Sequence, residues 1–310
     1  MAIWQANTDR EPVPKMLTTR HRQRLREFLA RDRALNLFQL CWLENHGVQP
    51  DGRPELFHYA GLPDGDDSFR AVSLAVTNRL ALIHANDEQA ARTMGRWYRQ
   101  RGFVFDHIVS GDASVTPFWD AYLHHPGSTQ VRARLNRLQK LLVIDRDRWF
   151  DEVLPDRADD FEPTGVSRAK TPQLEAVYLA SAQMHREETL EDPLEKNAES
   201  FRRHVRHRIE SGRTFVWFNA VRQLMFKADI SARGEVGVQL SGVFTPKLFR
   251  GRGVATRALF DICRELFEGG TPRVALYVNA ENAAALRVYE KVGFEFHADF
   301  RTVFVQSSRA

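Results

Sequence analysis

The sequence predicts a mixed α/β protein built from two domains. Three observations predict it. The chain has 310 residues, and a domain typically holds roughly 100–200. Its second half reads as two helices, a set of antiparallel strands, then strand–helix–strand–helix–strand. Its first half repeats part of that order: two strands, a helix, a strand, a helix.

Hydrophobic residues make up 43% of the chain and charged residues 27%. Those proportions suit a globular protein with a real core and exclude long disorder. No run of about 18 apolar residues exists, so no transmembrane helix is expected. Met1–Arg20 is mixed polar, without the apolar centre of a signal peptide, and a cytoplasmic location is the expectation. The two cysteines, Cys41 and Cys263, each sit in an apolar, helix-like run and read as buried free thiols. No Cys/His cluster has zinc-ligand spacing, so no metal is expected. Lys and Arg number 44 against 40 acidic residues, a net charge of +4. So modest an excess suits a polyanionic ligand as well as a nucleic acid.

In the first half, Arg20–Asn45 reads as a helix, with Leu25, Phe28, Leu29, Leu35, Phe38 and Trp42 near helical spacing. Gly47–Gly65 is rich in Gly and Pro and reads as loop around a short apolar run. Ala71–Val76 and Leu80–His84 read as strands turned at Thr77–Arg79. Asn86 or Asp87 caps a helix reaching Arg101. Phe103–Val109 reads as a strand and Val115–Leu123 as a short helix. Val131–Lys140 is basic, helical or extended, and Leu141–Ile144 is a strand. Asp145–Gly165 carries Asp145, Asp147, Asp151, Glu152, Asp156, Asp159, Asp160 and Glu162 with Pro155 and Pro163, and reads as an acidic linker that Trp149 and Phe150 can dock. The predicted domains are thus residues 1–150 and 165–310, joined by 151–164.

In the second half, Gln173–Leu190 and Ala198–Ser211 read as helices. Thr214–Asn219, Leu224–Ile230 and Val236–Phe244 read as strands. Gly253–Glu268 is an amphipathic helix, Arg273–Val278 a strand, Asn282–Val292 a helix, and Phe296–Val305 one or two last strands.

The segment from Val243 to Thr256 leaves a strand and enters a helix. A helix N-terminus offers unpaired N–H groups and partial positive charge, which suit phosphate. Gly251 and Gly253 permit unusual dihedrals and close approach, and Arg250 and Arg252 add charge. No Gly-Lys-Ser/Thr ending makes it a P-loop, and Thr256 stands where a dinucleotide fingerprint has its third glycine. By geometry alone it is either a phosphate site or a structural glycine turn.

Arg250-Gly251-Arg252-Gly253-Val254-Ala255 resembles the acyl-CoA loop of the GNAT superfamily, Arg/Gln-x-x-Gly-x-Gly/Ala. Asn282 to Phe294 resembles the same family's Asn-x-x-Ala-x-x-x-Tyr-x-x-x-Gly-Phe helix. The two stand in family order over about residues 165–305. Met184-His185-Arg186-Glu187-Glu188, Asp192-Pro193, Phe226-Lys227-Ala228-Asp229 and Asn36-Leu37-Phe38 are similar to a bacterial subfamily whose N-terminal domain has no assigned function. The resemblance implies a C-terminal GNAT fold whose central strands splay near Phe244 and Val278 to admit the pantetheine arm of acetyl-CoA. Val243 and Thr245 would bond that arm, with Val243 or Phe244 N–H polarising the thioester carbonyl. Amides of Gly251, Arg252, Gly253, Val254, Ala255 and Thr256 would hold the pyrophosphate. The first half reads as a degenerate copy without either motif, in a tandem architecture with one competent site.

Asn282 and Tyr289 lie two turns apart on one helix face. The resemblance makes Tyr289 the acid that protonates the leaving thiolate; the other reading is a core tyrosine. No general base is visible, since Gln239 and Ser241 are the only polar side chains of the strand Val236–Phe244. A water chain, Glu187 or Glu188 remain, against a solvated helix face for the two carboxylates; His185, His204 and His207 read as solvent-facing. The acidic cluster Glu187, Glu188, Glu191, Asp192 and Glu195 would attract a cationic acceptor, a small primary amine or a protein amino group. The basic run Arg202–Arg208 lacks interleaved aromatics and reads as a solvated face rather than a nucleic-acid interface. The function expected is acetyl transfer from acetyl-CoA to a primary amine by direct attack; the alternative is a CoA-binding sensor or scaffold without catalysis.

Overall fold

A computed structural model describes residues 12–50, 56–65, 67–76, 80–124, 130–157 and 163–308. The turn expected at Thr77–Arg79 lies outside them, as do Gly52, Pro54, Asp159, Asp160, Glu162 and the first eleven residues. The described chain packs as two compact units. The first takes the chain up to Asp32, Leu43–Leu138, and the C-terminal stretch from Asp299. The second takes Arg33–Trp42 and Gln139–Ala298.

The first unit contains β1 (Lys15–Met16), α1 (Arg22–Leu29), the last turn of α2 (Leu37–His46), β2 (Phe57–Asp64), β3 (Ser68–Val76), β4 (Leu80–Ala85), α3 (Glu88–Gln100), β5 (His107–Gly111), α4 (Asp112–Leu123) and the start of β6 (Gln130–Asp145). Its strands run β1-β2-β3-β4-β5, followed by the chain's last strand, residues 295–308, paired antiparallel to β5 from Phe300↔Gly111 to Phe304↔His107. The β4–β5 pair is parallel. Met94, Trp97, Tyr98, Phe105, Phe118 and Tyr122 fill the core between this sheet and the helices α3 and α4.

Two sequence expectations need correction here. The helix expected over Arg20–Asn45 is two helices, parted by a 3-10 turn at Ala30–Asp32. The break falls where the chain passes from the first unit to the second at Asp32 and Arg33. The loop expected over Gly47–Gly65 contains the strand β2. Gly61 leaves room for the Phe69 ring of β3, and Pro63 sits at a register shift, so neither residue interrupts the ladder. Of the two readings of residues 131–140, helical or extended, the structure has the extended one, continuous with the strand expected over 141–144.

The second unit continues with the end of β6, a helical stretch over 146–157, β7 (Ser167–Arg168), α5 (Leu174–Thr189), α6 (Pro193–Glu210), β8 (Thr214–Phe218), β9 (Leu224–Gly234), β10 (Gly237–Phe244), α7 (Val254–Glu268), β11 (Arg273–Asn279), α8 (Ala283–Val292) and the start of β12 (Glu295–Ser308). Its strand order is β6-β11-β10-β9-β8-β7. As far as Arg157, the acidic segment after Asp145 is helical. Trp149 and Val153 are buried in the core beside Phe260, and the Asp145 carboxylate takes two hydrogen bonds from its cross-strand partner Arg273, at 2.6 and 2.9 Å. The apolar face of α7, Val254, Ala258, Leu259, Ile262, Cys263 and Leu266, recurs every three to four residues and seals this core. α6 is kinked at Asn197, whose side chain accepts from Ser200 N–H and starts the longer segment anew. Both cysteines are buried, and neither forms a disulfide.

Among the described residues, no helix is long and apolar enough to cross a membrane. Nor do three or more His, Cys, Asp or Glu side chains come together to hold a metal ion.

Gly95 lets α3 touch α4, since a Cβ there would run into the Phe118 carbonyl. Gly95→Ala should therefore lower unfolding free energy by about 2–3 kcal/mol, the scale of overpacking. Urea denaturation checks it; an unchanged midpoint would mean that the two helices separate freely.

Candidate active site

The second unit has one break in its ladder that matters for chemistry. β10 and β11 run parallel but pair only at Val238↔Val274 and Gln239↔Ala275. Beyond Gln239 they part. β10 stays bound to β9 as far as Phe244, and β11 stays bound to β6 over its whole length. An opening is left between the ends of two adjacent strands, as the resemblance implied.

β10 reaches that opening bent. Its pairing with β9 shifts register between Gln239 and Leu240 and again between Ser241 and Phe244. At the second shift Gly242 takes φ +56°, a left-handed conformation that suits glycine. A Cβ on Gly242 would lie 2.5 Å from Asp229 Oδ2 and 3.0 Å from Lys227 Nζ. These two side chains, both fully buried, form an ion pair of 2.7 Å. Lys227 Nζ also donates to the Gly242 carbonyl at 2.9 Å. Asp229 accepts from the Thr214 hydroxyl at 2.8 Å and from Arg208 at 3.3 Å. Burial pushes the Asp229 carboxyl up, but the charges of Lys227 and Arg208 and the bonds from Lys227 and Thr214 outweigh it and hold it below the usual carboxylate range.

After Phe244 the chain turns through Thr245, Pro246 and a 3-10 turn at Lys247–Phe249. Arg250, Gly251, Arg252 and Gly253 then lead into α7. Gly251 and Gly253 both have φ +72° and face open space. Gly253 is the N-cap of α7, and no side chain caps the helix. Val254, Ala255 and Thr256 form its first turn. Such an end presents backbone donors and the positive pole of the helix. Arg250 is anchored beside it, donating to the Thr245 carbonyl at 2.9 Å and to Glu187 of α5 at 2.6 Å. Arg252 is exposed. The Thr245 hydroxyl is shut off from solvent and has no hydrogen-bond partner among the described residues. An orphaned hydroxyl at the mouth of the opening and an uncapped helix end beyond it fit a ligand with a polar arm and a phosphate.

At the other side stand Tyr289 of α8 and Tyr277 of β11. Tyr289 is buried and packs edge-on to Phe294 at 5.9 Å. Burial, and then the negative charge of Glu188, raise its phenol well above the ordinary value. Tyr277 is pushed up to about 12 by burial and by Glu188, with Arg208 opposing. Glu188 thus acts on both phenols. Asn282 is exposed, and its side-chain oxygen caps α8 by accepting from Ala285 N–H at 3.1 Å.

The two predicted carboxylates therefore diverge. Glu187 is bound to Arg250 and Gln183. Burial raises its carboxyl, but those bonds and the charges of Arg250 and Lys247 prevail and hold it low. Glu188 acts on the tyrosines. Of the wider acidic cluster, Asp192 caps α6 and lies 3.5 Å from Arg186, and Glu191 lies 4.0 Å from Lys196. Tyr277 and Gly242 escaped the sequence reading, Arg208 entered it only as part of a solvated basic face although it lies 3.3 Å from the buried Asp229, and Lys227 and Asp229 entered it only as family marks. The available signal was two opposite charges at i and i+2 on an otherwise apolar strand, which puts both on one face.

The first unit has the same parting, with β4 and β5 paired only at Leu80↔His107 and Ala81↔Ile108. Its details differ. Asp87 caps α3 by accepting from Ala90 N–H at 2.8 Å, and Arg70 binds the same carboxylate at 3.0–3.2 Å. Ser114 Oγ takes the Ala85 N–H at 3.0 Å. The chain's own carboxylate stands at the helix end where an external anion would sit.

The two ion pairs of the second unit should differ sharply in stability. Asp229→Ala strands a buried ammonium and should cost about 3–5 kcal/mol. Glu187→Gln breaks a half-exposed pair and should cost at most about 1 kcal/mol. Chemical denaturation of both variants measures the contrast; equal losses would contradict the burial of Lys227 and Asp229.

Known proteins resemble this chain in sequence and in fold. The profile of the Acetyltransferase (GNAT) family matches residues 183–294. A mycothiol acetyltransferase from Brachybacterium faecium is 28% identical over 193 residues, 56% of this chain and 52% of the relative. The match thus spans about half of that protein's length. A GCN5-related N-acetyltransferase from Sphaerobacter thermophilus superposes with a TM-score of 0.59 at 13% identity, over 96% of each chain. A tandem GNAT protein from the clavulanic acid biosynthesis pathway gives 0.55 at 14% identity, over 96% of this chain and 98% of that one. At these identities the two structures speak for the fold. Profile, relative and fold point the same way: residues 183–294 are similar to the GNAT family of acetyltransferases, users of acetyl-CoA, and the fold resembles that of a tandem GNAT protein.

Proposed function

We propose that the protein moves an acetyl group from acetyl-CoA to a primary amine, and that the reaction takes place in the second unit. The observation that carries this reading is the opening between β10 and β11, with an uncapped helix N-terminus at one side and two tyrosines beside Glu188 at the other. The first suits a phosphate group, and the second can supply a proton to a leaving thiolate.

In this reading the pyrophosphate of acetyl-CoA lies against the amides from Gly251 to Thr256, with Arg250 and Arg252 supplying charge. Glu187 holds Arg250 in place. The pantetheine arm follows β10, bonded by Val243 and Thr245, and the thioester carbonyl faces the N–H of Val243 or Phe244. Asn282 starts the helix that carries Tyr289. The acceptor amine arrives protonated, is attracted by Glu188 and loses a proton to it or to water. Its lone pair attacks the carbonyl carbon, forming the C–N bond and placing charge on the oxygen. Collapse breaks the C–S bond, and Tyr289 gives its proton to the leaving sulfur. A raised phenol keeps that proton at neutral pH, and the burial that disfavours a phenolate also disfavours a bare thiolate, which brings the two proton affinities closer. The products are an acetylated amine and CoA. The first unit, with Asp87 in its helix end, has a supporting role and no acetyl-CoA of its own.

Incubation with acetyl-CoA and a panel of small primary amines and peptides tests the reading, by free-thiol release and by the mass of the acetylated product. CoA binding without product for any acceptor would favour a sensor or scaffold instead. Arg250→Glu should weaken CoA binding by about 1–3 kcal/mol in calorimetry. Tyr289→Phe should lower kcat about 10²-fold with acetyl-CoA affinity retained. Glu188→Gln should raise the KM of the amine and leave that of acetyl-CoA unchanged. Wild-type kcat in Tyr289→Phe, with chemistry limiting, would make that residue structural.

A further inference from the structure

The buried pair of β9 is an expensive way to hold a sheet together. An ion pair taken out of water gains little over well-packed apolar residues of the same size. Lys227 is nonetheless fully buried, and its ammonium has a second partner besides Asp229, the carbonyl of Gly242. That carbonyl belongs to the bulge, where β10 advances three residues, Ser241 to Phe244, while β9 advances two, Asp229 to Lys227. Lys227 supplies the donor that the distorted ladder does not.

We propose that Lys227 is a positioning residue for acetyl transfer, held by Asp229, which fixes and polarises the Gly242–Val243 peptide so that the Val243 N–H meets the thioester carbonyl. The inference rests on the reaction proposed above. Its geometry is simple. The Gly242 carbonyl and the Val243 N–H belong to one planar trans peptide and point in opposite directions. With the carbonyl fixed on Lys227, the N–H is directed away from it. A cation on the carbonyl draws electron density across the amide and makes the N–H a stronger donor. Gly242 is required at this place because a side chain would strike both Asp229 and Lys227. Arg208 adds a second cation at Asp229, so the group of Lys227, Arg208 and Asp229 carries one net positive charge behind a peptide that is to face a developing oxyanion.

The test uses the full chain and the double variant Lys227→Met with Asp229→Leu, which removes both buried charges together and so should fold. Three quantities are compared with wild type: the carbonyl ¹³C resonance of Gly242 without ligand, the ¹³C resonance of the thioester in bound labelled acetyl-CoA, and kcat with CoA affinity alongside. The expected result is an upfield move of Gly242, a loss of at least half of the downfield displacement of the bound thioester, and a kcat lower by at least 30-fold. CoA affinity should stay within threefold, because the glycine loop is separate from the pair. An unmoved Gly242 resonance overturns the proposal. So does a moved one with thioester shift and kcat unchanged, which would leave the pair purely structural. Should the double variant not fold, Lys227→Arg, which keeps the charge and displaces the donors, carries the same three measurements. Failure of the wild type itself to bind acetyl-CoA would sink the proposed reaction, and is distinct from failure at the variant.

Discussion

Two parallel strands that share a sheet for only two residue pairs set the problem that the rest of the second unit answers. Past Gln239 and Ala275 the facing edges of β10 and β11 have no ladder, yet buried backbone groups must find partners. The outer edges are secured first: β9 holds β10 through its bends, and β6 holds β11 along seven consecutive residues. Only with both flanks secured can the inner edges stay apart as a lasting opening rather than a defect.

The first unit shows that the parting alone makes no site. There too the parallel pair ends after two residues, but the space is used by the protein itself: Ser114 takes the last N–H of β4, and Asp87 caps the next helix with Arg70 on its far side. In the second unit the corresponding helix begins with Gly253, and nine residues intervene between Phe244 and Val254. The same backbone event is thus closed in one unit by an Asp cap and left available in the other by a glycine. A single residue type at the N-cap separates a self-satisfied helix from one able to bind an anion.

Much of this was legible in the sequence, for reasons that differ from place to place. α7 and α8 follow from apolar spacing and from the glycines that bound them, and both motif segments could be located before any coordinates. β2 was misread because Gly61 and Pro63 usually punctuate chains; the Phe69 ring that needs the space explains Gly61 in a strand, and a register shift accommodates Pro63. The acidic stretch after Asp145 reads as linker by composition, whereas the buried Trp149 and Val153 anchor its start to the core and Arg273 neutralises its first carboxylate. Glu187 and Glu188 are neighbours, so helical geometry aims them about 100° apart, and no sequence argument said which would meet Arg250 and which the tyrosines. The partnership of Lys227 with the Gly242 carbonyl depends on a register shift between two strands, which spacing along one strand does not reveal.

The central claim is that only the opening of the second unit receives CoA. Backbone amide hydrogen exchange on the whole chain, with and without CoA, tests it most directly. The account predicts new protection at residues 243–245 and 251–256 and none at 85–91, where Asp87 already fills the helix end. Protection at 85–91, or its absence at 251–256 under saturating CoA, would contradict it.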